Sequence, residues 1–382
     1  MPLDTSRLFS PLPVGPATLR NRIVFCPMFV GYAHPDGTVS DRMIGHYARR
    51  ARGGAALVIT EYASVHPSGA ESPRQLRIWD DSCRKGLVEL SRAIRREGAL
   101  ASLQLVHGGR YAWNQERIAP SPVPFEPFPG TTLLPRALTI EEIGEIIRSF
   151  GSAARTAREC GFDGVEIHGG SGYLHTQFIS PRTNRRTDNY GGTPENRMRF
   201  ALETVRAIRK EAGKDLILGY HFMVDEWMPG GFTAEMAPEF AKRLEEEGVS
   251  YLIAVGGMYD SWREDWVRKR TQHSPYQEDL AALLKPAVRI PVMANGRIDH
   301  PRMAEALLES GAADAVALAR PLFADPDFPA KAASGREKEI VRCIPYCTEC
   351  LEGYKRELGA TCYVWPEAVR RDGFWGIPPS GS

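Results

Sequence analysis

Residues 164–178 read GVEIHGGSGYLHTQF: a short apolar run that stops at a histidine, then three glycines around a serine, then a tyrosine. A brief apolar run bounded by glycine is the pattern of a strand buried on both faces, as in parallel sheets covered by helices. Such a strand ends here in two groups able to donate hydrogen bonds, His168 and Tyr173, with nothing bulky between them.

Similar runs recur on both sides of this stretch. RIVFCPMF, AALVITEY and LASLQLVH precede it; LILGYHF, YLIAVG, IPVMANG and ADAVALAR follow. Between most of them lie helical patterns such as TIEEIGEIIRSFGSAARTARECG and TAEMAPEFAKRLEEEGV, which begin at a capping Thr and end at Gly. Eight strand-then-helix repeats predict an α/β fold, a (β/α)8 TIM barrel. Such a barrel takes about 250 residues, which leaves roughly 130 of the 382 as additions. They fall in an N-terminal segment before Arg22, a proline-rich loop after the third strand, long loops after the fourth and sixth, and a tail. The expected organisation is one barrel over residues 1–335 and a C-terminal extension over 336–382.

A net charge of +1 and 43% hydrophobic residues carry no bias toward nucleic acid or membrane, so the expected partner is a small molecule. The N-terminus lacks a basic segment followed by an apolar one, and no 18 apolar residues run together, so a cytoplasmic protein is expected. Oligomeric state, homo-oligomers included, is left open.

In these barrels the C-terminal ends of the strands form the active face, so Gln104, His107, His168, His221 and Gly296 are expected to converge there. A histidine at a strand end can simply cap it, but this many polar strand ends point to a site. PVMANGRIDHP and VALARPLFADPDFP place Gly296, Arg297 and Arg320 in the seventh and eighth loops, where such barrels commonly hold a phosphate. The alternative for the arginines is an ion pair with Asp314 or Asp325.

NRIVFCPMF, SLQLVHGGRYA, HGGSGYLHTQFISPRTNRRTDNYGGTPENRMRF and ARPLFADPDF together resemble the Old Yellow Enzyme family of FMN-dependent oxidoreductases, over residues 7 to about 335. The resemblance implies bound FMN. Pro27, Met28 and Phe29 would run along the flavin ring, Gln104 would bond its pyrimidine edge, and Tyr62 would stand with the cofactor-binding residues. Gly296, Arg297, Ala319 and Arg320 would hold the phosphate. His168 would bond the electron-withdrawing group of an activated alkene, and Tyr173 would protonate the carbon opposite to hydride delivery. Three positions depart from the family pattern. Ser171 stands where a second His or Asn is usual, His221 where an arginine lies beside the flavin, and Phe29 where several members carry Cys or Thr.

The tail resembles the branch containing 2,4-dienoyl-CoA reductases and trimethylamine dehydrogenases, in which four cysteines ligate a [4Fe-4S] cluster. Cys343, Cys347, Cys350 and Cys362 have the spacing C-x3-C-x2-C-x11-C. Four thiolates so close in sequence suit iron–sulfur or zinc, and reduced, unligated thiols stay open as a third state. Members of that branch carry a further nucleotide-binding module that this chain lacks, so NAD(P)H or a separate reductase or electron carrier is the expected electron source. The expected activity is ene-reduction. The alternatives are an amine dehydrogenase or N-demethylase, with Tyr32, Tyr62, Trp113 and Trp262 holding a cationic amine, and an FMN/Fe–S subunit of a multi-chain electron-transfer system.

Overall fold

The computed structural model describes residues 4–372, apart from 115, 129, 274, 346 and 356–358 and the side chains of 353–355 and 371–372. Eight parallel strands close into a barrel: β1 (Ile23–Phe25), β2 (Leu57–Ser64), β3 (Leu100–Val106), β4 (Gly164–Gly169), β5 (Ile217–Asp225), β6 (Tyr251–Gly256), β7 (Val292–Ala294) and β8 (Ala315–Leu318). Each strand pairs with its neighbours in chain order, and β8 closes on β1 with Leu318 opposite Phe25. These are the eight apolar runs of the sequence, and the fold is the (β/α)8 TIM barrel that they predict.

Three long helices start at side-chain caps, whereas the one expected to begin at Thr233 starts at Ala237, behind Met236, with no side-chain cap. Ser40 accepts from the Met43 N–H at the start of α1 (Asp41–Arg52). Thr139 and Glu142 form a reciprocal capping box on α2 (Ile140–Glu159). Thr193 followed by Pro194 opens α3 (Pro194–Ala212), which Gly213 ends at φ 79°.

Two layers of side chains explain why one end of the barrel carries chemistry. An N-terminal hairpin, Leu12–Val14 paired with Ala17–Leu19, packs Leu12, Val14 and Leu19 against Ile59, Ile253, Met293 and Ala315 inside the barrel. That end is therefore plugged with apolar groups. Further along the strands the inward positions turn polar, with Gln104, Glu166, His168 and His221 all buried.

The tail docks beside β1. The N–H of Ala360 donates to Val30 O at 2.7 Å, Trp365 Nε1 donates to Phe323 O at 2.7 Å, and the Tyr32 hydroxyl bonds Ala360 O. Beneath it Arg50 is fully buried, donating to His46 O and Phe323 O with the rings of Phe25, Phe323 and Trp365 around its guanidinium. Among the described residues, no helix is long and apolar enough to cross a membrane.

Candidate active site

The parallel register sets His168 directly opposite His221, on adjacent strands β4 and β5. Their rings meet edge to face at 5.1 Å, and the Tyr173 ring stands edge to face on His168 at 4.7 Å. The Tyr173 hydroxyl lies 2.5 Å from that of Tyr259 and 3.4 Å from that of Tyr62. Phe29 stacks on Tyr62 with centroids 5.2 Å apart. The glycines allow this crowding: a Cβ at Gly170 would stand 2.9 Å from Val255 and 3.0 Å from the His221 ring. Ser171 takes the left-handed conformation, φ 58°, which turns the chain between the two donors.

Burial decides the protonation of both groups. It depresses the pKa of His168, with the charge of His221 adding to the effect, and it raises Tyr173 well above the ordinary phenol range. His168 is therefore a neutral imidazole and Tyr173 a neutral phenol at pH 7. The Gly170 N–H donates to His168 Nδ1 at 3.3 Å, which assigns the ring proton to Nε2.

Glu166, wholly buried inside the barrel, escaped the reading of its strand as an apolar run. Its carboxylate accepts from Gln104 Nε2 at 2.7 Å and from the Tyr251 hydroxyl at 2.9 Å, and His221 Nδ1 lies 3.4 Å away. Gln104, expected at the flavin edge, thus spends one amide hydrogen on Glu166.

Beside these groups lies a cavity of about 260 Å³ at the C-terminal end of the strands, lined among others by Pro27, Ser171, His221, Gly296, Arg297, Ala319 and Arg320. Seven of the expected residues thus face one space. Its donors suit a flavin monophosphate. Arg320 is half-buried and has no hydrogen bond or ion pair among the described residues. Asp314 and Asp325 are occupied by Lys285 and Lys331, so neither holds the arginines. Gly296 (φ 100°) and Arg297 (φ 59°) both lie in the left-handed region, bringing bare backbone to the cavity wall. Arg297 also donates to Thr271 O and Gln272 O, tying down the loop before the seventh strand. Met28 instead packs on the hydrophobic layer between strands and helices.

Other expectations need correction. His107 does not reach the cavity: its Nε2 lies 2.9 Å from Ser68 Oγ and its Nδ1 accepts from Gly109 N–H. Tyr32 lies under the tail, with the Arg42 guanidinium 3.8 Å from its ring centre. The SPRTNRR motif is a scaffold. Arg182 and the buried Arg110 both bind Asp260, Asn184 ties Phe178 O to Tyr190 O, and Arg186 reaches Pro120 O and Leu138 O. Asp260 so held brings its neighbour Tyr259 to Tyr173, a contact with no local sequence signal.

None of the four tail cysteines is in a disulfide. Burial pushes Cys362 up to about 11, and the charges of Cys343, Cys347 and Cys350 add to the rise, so the four share one neighbourhood. Among the described residues, however, no three His, Cys, Asp or Glu side chains come together closely enough to hold a metal ion.

Comparison with known proteins gives the family. The chain is 43% identical over 370 residues to the NADH oxidase of Thermoanaerobacter brockii, covering 95% of this chain and 56% of that one. It superposes on a 2-naphthoyl-CoA reductase in complex with 2-naphthoyl-CoA with a TM-score of 0.89 at 29% identity, over 95% of this chain and 57% of the other. Histamine dehydrogenase from Rhizobium sp. 4-9 superposes with a TM-score of 0.86 at 28% identity, over 96% and 53%. The chain spans about half the length of the first curated relatives it matches. With residues 7–339 also matching the family model itself, the chain belongs to the NADH:flavin oxidoreductase / NADH oxidase family.

Proposed function

We propose that this protein is an ene-reductase, reducing an activated C=C bond with FMN in the cavity above β7 and β8 and Tyr173 as proton donor. FMN, when bound, supplies hydride transfer between a nicotinamide donor and the alkene. Pro27, Gln104 and His221 hold the ring, and Gly296, Arg297, Ala319 and Arg320 hold the phosphate. His168 offers its Nε2–H to the carbonyl that activates the alkene. Tyr173 gives its phenolic proton to the adjacent carbon. The observation that carries this reading is the buried Tyr173 ring standing edge to face on His168, whose ring in turn meets His221 in the cavity wall.

The test is Tyr173→Phe in the FMN-loaded protein. Reoxidation by 2-cyclohexenone should slow by about 10² to 10⁴, while flavin reduction by NADH or NADPH stays within about twofold. Equal enone turnover in both proteins would remove Tyr173 from the chemistry.

A second reading, amine oxidation, is favoured by the wall of Tyr62, Tyr173, Tyr259 and Trp262, the last two rings 5.3 Å apart, and by the likeness to histamine dehydrogenase. Anaerobic flavin bleaching by an amine, with no enone reduction, would select it.

We also propose that Cys343, Cys347, Cys350 and Cys362 would hold a [4Fe-4S] cluster. Four thiols close in sequence, with Cys343 next to Arg297 and Arg320, are its chemical support, and single-electron transfer toward a separate reductase or electron carrier is what it would supply. Iron and acid-labile sulfide analysis of anaerobically purified protein decides this; zinc, or no metal, would overturn it.

A further inference from the structure

One buried acid next to this site has no part in the mechanism above. Glu71 lies in the loop after β2. Its carboxyl faces the hydroxyls of Tyr173 and Tyr62, and its Oε1 is buried with no partner of full hydrogen-bond geometry. The residue itself is half-exposed, so the loop that carries it touches solvent while the carboxyl does not. The backbone is fixed: Glu71 N–H donates to Gln75 Oε1 at 2.6 Å, and the Cγ leaves no room for a side chain at Gly108, whose added Cβ would lie 2.8 Å from it.

We propose that Glu71 is a positioning and proton-supplying residue for Tyr173, its carboxylic acid orienting the phenol and restoring the proton that Tyr173 gives to substrate. This rests on the reading of Tyr173 as proton donor. The step balances without any redox partner. Tyr173 loses its proton to the substrate carbon, the O–H bond of Glu71 breaks as that of Tyr173 re-forms, and the carboxylate regains a proton from water.

The surroundings fit this role. Burial pushes the Glu71 carboxyl up to about 8, opposed only by hydrogen bonds from Tyr173 and Tyr62, so the acid is largely protonated at pH 7. A phenolate is the stronger base, which makes the transfer downhill. The acid faces the hydroxyls of Tyr62 and Tyr173; behind Tyr173 stand His168, kept neutral by burial, and the Tyr259 hydroxyl, and beside Gly108, which the acid touches, His107 has its pKa depressed to about 3 by burial. Arg110 and Arg182, the cations beyond Tyr111, are both bound to Asp260.

Glu71→Gln and Glu71→Asp in the FMN-loaded protein, compared with wild type, test the proposal. The first measurement is the ultraviolet titration of tyrosinate, with Tyr173→Phe marking which transition belongs to Tyr173. Removing the carboxylate should bring the Tyr173 transition to lower pH in Glu71→Gln, while Glu71→Asp keeps it high. The second is reoxidation by 2-cyclohexenone as a function of pH. Wild type should lose rate as pH rises through about 8. Glu71→Gln should be slower at pH 7 by about tenfold or more and lose that inflection, and Glu71→Asp should retain it. Parallel titrations and parallel pH profiles for wild type and Glu71→Gln would overturn the proposal. Failure of every protein to reduce the enone would reject the ene-reductase reading, and the titration still decides whether Glu71 governs the Tyr173 proton.

Discussion

The Tyr251 hydroxyl, on β6, donates to Glu166, on β4, across the inside of the barrel at 2.9 Å. The carboxylate it serves is wholly buried, with Gln104 and His221 as its other polar neighbours. A buried carboxylate that loses a donor keeps its desolvation cost and gains nothing back. Tyr251→Phe, which changes one oxygen, should therefore destabilise the protein by about 1.5–3 kcal/mol in urea unfolding. A loss below about 0.5 kcal/mol would show that Glu166 does not depend on Tyr251.

Arg297 and Arg320 face the same cavity with different duties. Arg320 bonds nothing in the protein among the described residues, whereas Arg297 holds two carbonyls of the loop at 271–272. Arg320→Ala should weaken FMN binding by about 10- to 100-fold, the size of one or two hydrogen bonds to a charged group, and leave apoprotein stability unchanged. Arg297→Ala should lower both. FMN titration by fluorescence quenching and urea unfolding of the apoprotein separate the two effects; identical profiles for the two variants would refute this division.

How far the site could be read from sequence follows from which contacts are local. The strands were legible because each is a continuous apolar run, and the cap Thr139 because its capping box needs only neighbouring residues, whereas the helix read as starting at Thr233 begins at Ala237 with no side-chain cap. Gly296, Arg297 and Arg320 were legible by position, since the barrel fold fixes which loops can hold phosphate. Glu166 was not, because an acidic residue inside an apolar strand becomes acceptable only through Gln104 and Tyr251, 62 and 85 residues away. Tyr259 and Glu71 reach Tyr173 only after the barrel closes. His107 misled because its polar partner, Ser68, lies in a loop with no motif.

Glu61 supplies a pH prediction for stability. Its Oε2 accepts from the Val30 N–H at 2.8 Å and the Gly31 N–H at 3.1 Å, its Oε1 has no hydrogen-bond partner among the described residues, and burial raises its pKa from the ordinary 4.5 to about 8. The folded state thus binds more protons than the unfolded one between those values. The stabilisation from this group is complete below pH 4.5 and is lost as pH rises through about 8. Glu226, raised by burial to about 7, has the same sign. Glu61→Gln keeps an oxygen for both N–H groups and carries no charge at any pH. Its Tm should fall less than that of wild type between pH ~5 and ~8, and equal slopes would argue that Glu61 is not the group responsible.

Ser171 allows the final prediction, because its backbone restricts what can replace it. At φ 58° a β-branched side chain is strained, whereas Asn tolerates the left-handed region and Gly occupies it freely. Ser171 lines the cavity beside His221 but is too short to act as a second long-reaching donor toward a carbonyl held by His168. Asn adds a carboxamide N–H2 one bond further out without requiring the backbone to move. A phenolate such as that of p-hydroxybenzaldehyde places an anionic oxygen where the substrate carbonyl would lie, and a hydrogen bond to a charged group contributes about 1.5–3 kcal/mol. Ser171→Asn should therefore tighten that ligand by about tenfold or more, read from the perturbation of the flavin spectrum, with urea stability unchanged. Ser171→Gly should keep the fold and bind the phenolate no better than wild type. If Asn and Gly bind alike, residue 171 does not point at the oxygen that His168 holds, and the two-donor geometry is absent from this site.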